Sequence, residues 1–370
     1  MNKRFILVGL PKSRTPKDFI LKDMEELWSL VESLGETEVV DALVQRAAFP
    51  DRSTYVGPGK VGQLFDKVKE KQADVVVING IAKPGQLFNL QKKLYEANHQ
   101  IEVWDRVDLI LFIFSRHAAT AEAKLQIELA KMRHMGPRIY GMGKILSQQS
   151  AGIGTIGIGE TNTELMKRHW RTQMKKVQDE LAKLTLERER QLERRKRLGL
   201  KTISIVGYTN AGKTTLFNFL TGKHKKAANI LFATLDSAVG KLYLPLSKTE
   251  VLITDTIGFI KNLPPNLVEA FKSTLMESMH ADVLVHVIDA SDPDMEYKIF
   301  VVERILLELH AQNKERIYVF NKIDVAEGID KKNISAKYHE FNPQFISVKI
   351  GEGMDTFPSM LDNILAPVAN

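Results

Sequence analysis

The run Gly207-Tyr208-Thr209-Asn210-Ala211-Gly212-Lys213-Thr214 constrains the fold of this chain more than any other stretch. It fits the pattern G-x-x-x-x-G-K-[ST] and follows directly on the β-prone run Thr202-Ile203-Ser204-Ile205-Val206. A strand, a glycine-bounded loop and a helix start in that order form a phosphate cradle. Glycine lets successive backbone N–H groups turn inward around phosphate oxygens, and the helix presents its positive dipole end to them. The cradle residues are Asn210, Ala211, Gly212, Lys213, Thr214 and Thr215. The pattern assigns Lys213 to the β and γ phosphates and Thr214 to Mg²⁺.

Three later segments give the cradle a substrate. Val251-Leu252-Ile253-Thr254 runs into Asp255-Thr256-Ile257-Gly258, an apolar strand ending in D-x-x-G. There the Asp255 carboxylate is placed to reach Mg²⁺ through water, and the Gly258 amide to meet a γ phosphate. Arg316-Ile317-Tyr318-Val319-Phe320 runs into Asn321-Lys322-Ile323-Asp324, which names the base. A carboxylate at Asp324 accepts from guanine N1–H and the 2-amino group, whereas adenine offers an acceptor and no amino group at those positions. Leaving a buried carboxylate unpaired costs several kcal/mol, so discrimination on the order of a thousandfold is expected. Asn321 is expected at guanine O6 and N7, with the Lys322 stem over the ring face. Finally Phe345-Ile346-Ser347-Val348-Lys349 reads as a last strand end of the S-A-K type. The Val348 amide is the expected donor to guanine O6, flanked by Ser347 and Lys349. Four motifs in this order, each at a strand's carboxyl end, are the mark of an α/β nucleotide-binding sheet.

At 370 residues the chain has room for two or three domains with cores of their own. No apolar stretch reaches the roughly 20 residues that a membrane span needs. The start, Met1-Asn2-Lys3-Arg4-Phe5-Ile6-Leu7-Val8, carries too short an apolar run for a secretory signal and feeds a buried strand instead. The chain has no cysteine, which excludes disulfides and thiolate metal sites and points to the cytoplasm. A monomer is the expected state.

The net charge of +7 suggests a polyanionic partner, and its distribution is more informative than its size. Residues 167–197 hold twelve Lys or Arg against five Asp or Glu, ending in Arg194-Arg195-Lys196-Arg197. Trp170, Met174, Val177, Leu181 and Leu184 recur at spacings of four and three, the seam of a helix packed on another helix. Residues 119–134, with Leu125, Leu129 and Met132, supply the partner. The basic face is either a solvated surface or a contact for RNA phosphate. Between the helices, Ser147 to Thr161 contains G-x-G-x-x-G. It lacks a preceding strand and a βαβ unit, so it reads not as a dinucleotide site but as an inter-helix loop, either a flexible connection or a pliable tip whose bare glycines permit close insertion into a partner.

Ahead of this lies an α/β unit. Strands are expected at Phe5-Ile6-Leu7-Val8, Val75-Val76-Val77-Ile78-Asn79 and Ile101-Glu102-Val103-Trp104, with helices at 17–34, 60–71 and 85–97 between them. The turn Gly57-Pro58-Gly59-Lys60 precedes a helix but lacks the second half of a phosphate loop, and reads as punctuation. The expected architecture is α/β throughout. A mostly parallel N-terminal α/β domain occupies 1–117, a helical hairpin with a Gly-rich loop 118–199, and a P-loop GTPase domain 200–370.

The chain resembles the HflX family of ribosome-associated GTPases over nearly its whole length. The likeness rests on Tyr55-Val56-Gly57-Pro58-Gly59-Lys60-Val61 and Val103-Trp104-Asp105-Arg106, and on Glu122-Ala123-Lys124-Leu125-Gln126 and Gly141-Met142-Gly143-Lys144. Further on it rests on Gly152-Ile153-Gly154-Thr155, Gly159-Glu160-Thr161, Phe232-Ala233-Thr234-Leu235-Asp236 and Asp255-Thr256-Ile257-Gly258-Phe259-Ile260. The resemblance implies a factor that binds the large ribosomal subunit and its rRNA, brings the hairpin loop toward the peptidyl transferase centre, and splits stalled ribosomes when GTP is bound. Three departures stand out. Ile156 and Ile158 replace the usual Arg and Pro, Ser237-Ala238-Val239-Gly240 replaces Pro-Thr-Thr-Arg, and the chain ends at Asn370 without the extra C-terminal domain of some members.

The site chemistry expected is phosphoryl transfer from GTP to water. Lys213, loop amides and Mg²⁺ held by Thr214, Thr234 and Asp255 would stabilise charge on the phosphoryl oxygens, with Thr234 the switch I candidate and Gly258 beside the γ phosphate. Phe259 stands where Ras-like enzymes carry a water-orienting Gln, so intrinsic hydrolysis is expected to be slow. By resemblance to GTPases lacking that Gln, Asn210 is a candidate K⁺ ligand; the bland alternative is that it braces the loop. Two function classes follow: a GTPase whose nucleotide state gates ribosome binding, or an RNA-binding or RNA-remodelling protein regulated by GTP. A GTPase serving tRNA modification fits less well, because cysteine chemistry is absent.

Overall fold

The computed structural model describes residues 2–150, 162–223, 238–256, 258–260 and 277–365. Thr234, Ile156, Ile158, Ser237 and the Gly-rich segment 151–161 lie outside the described residues. The chain packs as two units, one of Met1–Arg116 with Lys124–Leu181, the other of His117–Ala123 with Ala182–Asn370. The two long helices therefore contribute residues to both. Among the described residues no helix is long and apolar enough to cross a membrane.

In the first unit, strands β1 (Lys3–Gly9), β2 (Thr37–Val44), β3 (Val75–Ile78) and β4 (Glu102–Asp105) form a wholly parallel sheet in the order β2-β1-β3-β4. Parallel neighbours need crossovers, supplied here by helices α1 (Lys17–Glu32), α2 (Pro58–Lys71) and α3 (Pro84–Leu94). The inner strands are covered on both faces, which is why they read as unbroken apolar runs. Phe5, Ile6, Leu7, Val8 and Val75 through Ile78 are all fully buried. Leu64 and Val68 of α2 and Leu87 and Leu90 of α3 close one side of this core. Helix α4 (Arg106–His117) starts on a reciprocal cap. The Asp108 N–H donates to Asp105 Oδ1 at 2.9 Å, and the Asp105 N–H to Asp108 Oδ2 at 3.1 Å.

The hairpin comprises α5 (Ala121–Ser150) and α6 (Asn162–Arg197). Of the expected seam, Leu129 and Val177 are buried, while Leu125, Met132, Trp170, Met174, Leu181 and Leu184 are half-buried. The Trp170 indole donates to the Met132 carbonyl at 3.2 Å. Its nitrogen lies 2.8 Å from where a Cβ on Gly136 would stand, so the crossing needs a residue without a side chain there. Ser147 to Ser150, expected in the loop, are the last residues of α5. The Ser/Gln run has no helix breaker, and the first glycine after Gly143 is Gly152.

The second unit is built on strands β5 (Thr202–Gly207), β6 (Ala238–Leu244), β7 (Thr249–Asp255), β8 (Val283–Asp289), β9 (Glu315–Asn321) and β10 (Gln344–Phe345), ordered β10-β9-β8-β5-β7-β6. Only β6 runs antiparallel, paired with β7 through a hairpin turn. Helices α7 (Lys213–Thr221), α8 (Met295–Glu308), α9 (Lys331–Lys337) and α10 (Phe357–Leu365) accompany the sheet. Phe217 of α7, Leu361 of α10 and the inward residues Ile205, Ile253, Val285 and Val319 share one core. With parallel strands, every carboxyl end of β5, β7, β8 and β9 opens on the same edge, where such sheets bind ligands.

Candidate functional site

The phosphate loop leaves β5 at Gly207 and enters α7 at Lys213. Gly207 has φ 147°, and a Cβ there would strike the Val287 carbonyl of β8. Gly212 has φ 97°, and a Cβ there would strike the Asn321 side chain. Both glycines of the motif therefore reflect close approach of backbone to a neighbouring strand end. Asn210 is exposed, with a left-handed φ of 64°, while Ala211 is buried against the core.

Lys213 is 6% exposed, and its Nζ donates to the Tyr208 carbonyl at 2.7 Å. Burial pushes its ammonium down to about 8, against a smaller upward pull from the Asp255 carboxylate. Anionic phosphate oxygens would satisfy that charge better than a lone carbonyl. Gly258 packs on the same spot: a Cβ there would lie 2.9 Å from Lys213 Nζ and 2.8 Å from Thr209 Cγ2. The D-x-x-G segment is pinned to the loop by sheet bonds, from the Phe259 N–H to the Gly207 carbonyl at 3.0 Å and from the Thr209 N–H to the Phe259 carbonyl at 2.8 Å. Phe259 is 1% exposed, so residue 259 serves the core rather than a water molecule.

Thr214 Oγ1 donates to Asp255 Oδ2 at 2.9 Å, and Asp255 is fully buried. A hydroxyl and a carboxylate beside a phosphate cradle are the hard oxygen donors that Mg²⁺ selects, so this pair fits that ion. Thr215, the neighbouring residue, is exposed.

The segment Asn321 to Asp324 and the turn at 347–349 differ from expectation in detail. Asn321 is 4% exposed with both ends of its amide engaged, Nδ2 donating to the Ala211 carbonyl at 3.0 Å and Oδ1 accepting from the Val348 N–H at 3.2 Å. Asn321 thus clamps the phosphate loop to the 347–349 turn, where direct contact with guanine O6 and N7 was expected. The Val348 N–H, the expected donor to O6, is bonded to Asn321. Asp324 is exposed, and its Oδ1 accepts from the buried Ser347 hydroxyl at 2.6 Å, which fixes the carboxylate. Lys349 is exposed. The expected last strand shrinks to Gln344–Phe345, because residues 347–353 turn back, with the Ser347 N–H donating to the Glu352 carbonyl. Lys322 has φ 65°, and its ammonium meets Asp289 Oδ2 at 2.6 Å. Asp289 was not singled out from sequence. The signal was present, since the apolar run 283–288 ends in a carboxylate just as 251–254 does.

The chain matches the families described as "GTP-binding GTPase N-terminal" over residues 22–115, "GTP-binding GTPase Middle Region" over 117–197 and "50S ribosome-binding GTPase" over 202–322. It is 43% identical over 340 residues to GTPase HflX of Caldanaerobacter subterraneus subsp. tengcongensis, covering 90% of this chain and 77% of that protein. To GTPase HflX of Escherichia coli it is 35% identical over 354 residues, covering 95% and 82%. Among solved structures, the complex of SsGBP with GDP aligns over 98% of both chains at 25% identity and a TM-score of 0.55. A GTP-binding protein from Sulfolobus solfataricus with GDP aligns equally far at 24% and 0.53, a likeness of fold. The chain binds GTP through the P-loop unit just described, and with relatives of this identity over most of its length it belongs to the HflX family of GTPases.

Proposed function

We propose that this GTPase is a cytoplasmic factor that binds the large ribosomal subunit through rRNA and splits stalled ribosomes, with the nucleotide state gating binding. The observation that carries this reading is the pairing of a guanine-nucleotide site with a long helix whose last turn is Arg194-Arg195-Lys196-Arg197. Arg194, Lys196 and Arg197 are exposed on it. Basic side chains in that density suit phosphate backbone. The match of residues 202–322 to the family described as "50S ribosome-binding GTPase" supports the same partner.

In this reading, Asn210 to Thr215 surround the phosphates, Lys213 leaves Tyr208 for the β and γ phosphates, and the Gly258 amide meets the γ phosphate. Thr214 and Asp255, joined by Thr234, would hold Mg²⁺, which supplies charge neutralisation at the transferring group. Asp324, held by Ser347, accepts from the guanine edge, Lys322 covers the ring, and Asn321, Val348 and Lys349 shape the pocket wall. No side chain at position 259 orients water, so the ribosome supplies or orders what hydrolysis lacks. The exposed, left-handed Asn210 is the candidate ligand for K⁺ beside the phosphoryl group. The protein acts as a monomer.

Turnover tests this. Steady-state GTP hydrolysis should rise at least about tenfold with purified large subunits, the scale of a barrier lowered by about 1.4 kcal/mol, and should be faster in KCl than in NaCl at equal ionic strength. Equal rates with and without subunits would favour an RNA-remodelling protein that GTP merely regulates, and equal rates in both salts would leave Asn210 a bracing residue.

A further inference from the structure

The ammonium of Lys322 is not left to find its place over a nucleotide base. β8 and β9 pair so that Asp289 lies opposite Asn321, one residue before Lys322. The left-handed turn at Lys322, with φ 65°, brings its side chain back to the end of β8, where Nζ and Asp289 Oδ2 are 2.6 Å apart. The carboxylate is itself fixed. Asp289 Oδ1 accepts from the Ser291 hydroxyl at 2.6 Å and from the Ser291 N–H at 3.1 Å. The ion pair is largely sheltered, with the lysine side chain 29% and the aspartate side chain 17% exposed.

A lysine stem free in solution samples many rotamers, and holding it in one costs side-chain entropy. A left-handed non-glycine residue adds a steric cost of its own. An arrangement that bears both costs beside the base-recognition carboxylate Asp324 has a use if it presents the four methylenes of Lys322 as a ready-made flat wall, with the charge drawn off to one side. We propose that Asp289, oriented by Ser291, is a positioning residue for guanine-nucleotide affinity: it pre-sets the Lys322 stem against the ring face. This rests on the reading of Asn321 to Asp324 as the base site. Asp289 touches no part of the nucleotide itself, and its effect passes through Lys322.

The test is a double-mutant cycle on GDP affinity, followed with a fluorescent GDP analogue, using Asp289→Asn, Lys322→Met and the double variant in the full chain. Asp289→Asn should weaken GDP binding about tenfold, as loss of one ordered, charge-assisted contact does. The same change in the Lys322→Met background should have no further effect, and Ser291→Ala should reproduce part of the loss with both charged residues kept. In GTP turnover the change should appear as a raised KM. Strict additivity of the two substitutions, or unchanged affinity in Asp289→Asn, would overturn the proposal. Thermal unfolding of each variant without nucleotide separates lost folding from lost positioning, and if Asp289→Asn unfolds, Ser291→Ala alone decides. Failure of the parent protein to bind GDP would instead refute the reading of the site on which the proposal rests.

Discussion

Lys213 bears a heavy electrostatic load in the site, because it is a cation with almost no solvent, bonded to the Tyr208 carbonyl and only weakly compensated by the Asp255 carboxylate. Its ammonium is pushed down to about 8 by desolvation, and phosphate oxygens would raise it again. The sign follows. Nucleotide binding takes up a proton once part of the lysine is neutral, so affinity is fullest below pH 8 and falls as pH rises through it, by up to about tenfold per unit. Calorimetry of GDP binding at pH 8 in buffers of different ionisation enthalpy should show proton uptake, and heats independent of buffer would contradict this. At the other end of the nucleotide, Asp324→Asn should weaken GTP on the order of a thousandfold and improve xanthine nucleotides, whose 2-oxo group accepts from the new amide. Competition binding with both nucleotides measures it, and unchanged GTP affinity would remove Asp324 from base recognition. The motifs made the positions of these two residues legible, Lys213 at the start of α7 and Asp324 just after the end of β9. Asn321 was legible as a site residue but not as a clamp, because its bonds to Ala211 and Val348 join segments 110 and 27 residues away, a pairing no local pattern displays.

At the scale of elements, β1, β3, β5, β7 and β9 each announce themselves as apolar runs, whereas β8 was not singled out although it is buried along almost its whole length. Strand β2 was missed. It lies at the edge of its sheet, carries Glu38 and Asp41, and skips Val40 in its register with β1. Asp41 is held by Lys67 of α2, and this lowers its carboxyl below the usual range despite the opposing desolvation. Helix α4 was missed for the opposite reason, because Val107 to Phe114 is apolar almost all round and shows no period, leaving only the reciprocal Asp105 and Asp108 cap as a sign. The ends of α5 and α6 within the second unit are joined by charge. Arg188 meets Glu122 at 2.7 Å and Glu277 at 3.5 Å, and Arg195 meets Glu277 at 3.2 Å, with Glu277 only 5% exposed. Removing one partner from such a group strands the others in low dielectric, so Glu277→Ala should destabilise this unit by about 3 kcal/mol. Thermal or denaturant unfolding measures the loss, and a change of a few tenths would show the cluster to be solvated in practice.

For the whole molecule, α/β architecture with a basic helical hairpin, lying in the sequence between two sheet-forming segments, followed from the order of motifs and the charge run. The packing of that hairpin did not, because the membership of His117–Ala123 and Ala182–Arg197 in the unit that carries the GTP site depends on contacts more than 60 residues apart, such as Arg188 with Glu122. If guanine nucleotide in that unit governs attachment to the large ribosomal subunit, attachment must change with the nucleotide bound. The decisive measurement is co-sedimentation of the purified protein with isolated large subunits, with a non-hydrolysable GTP analogue, with GDP and without nucleotide. Strong retention on large subunits is expected with the analogue and at least about tenfold weaker retention with GDP, a difference of about 1.4 kcal/mol. Equal retention in all three conditions would contradict nucleotide control of ribosome binding.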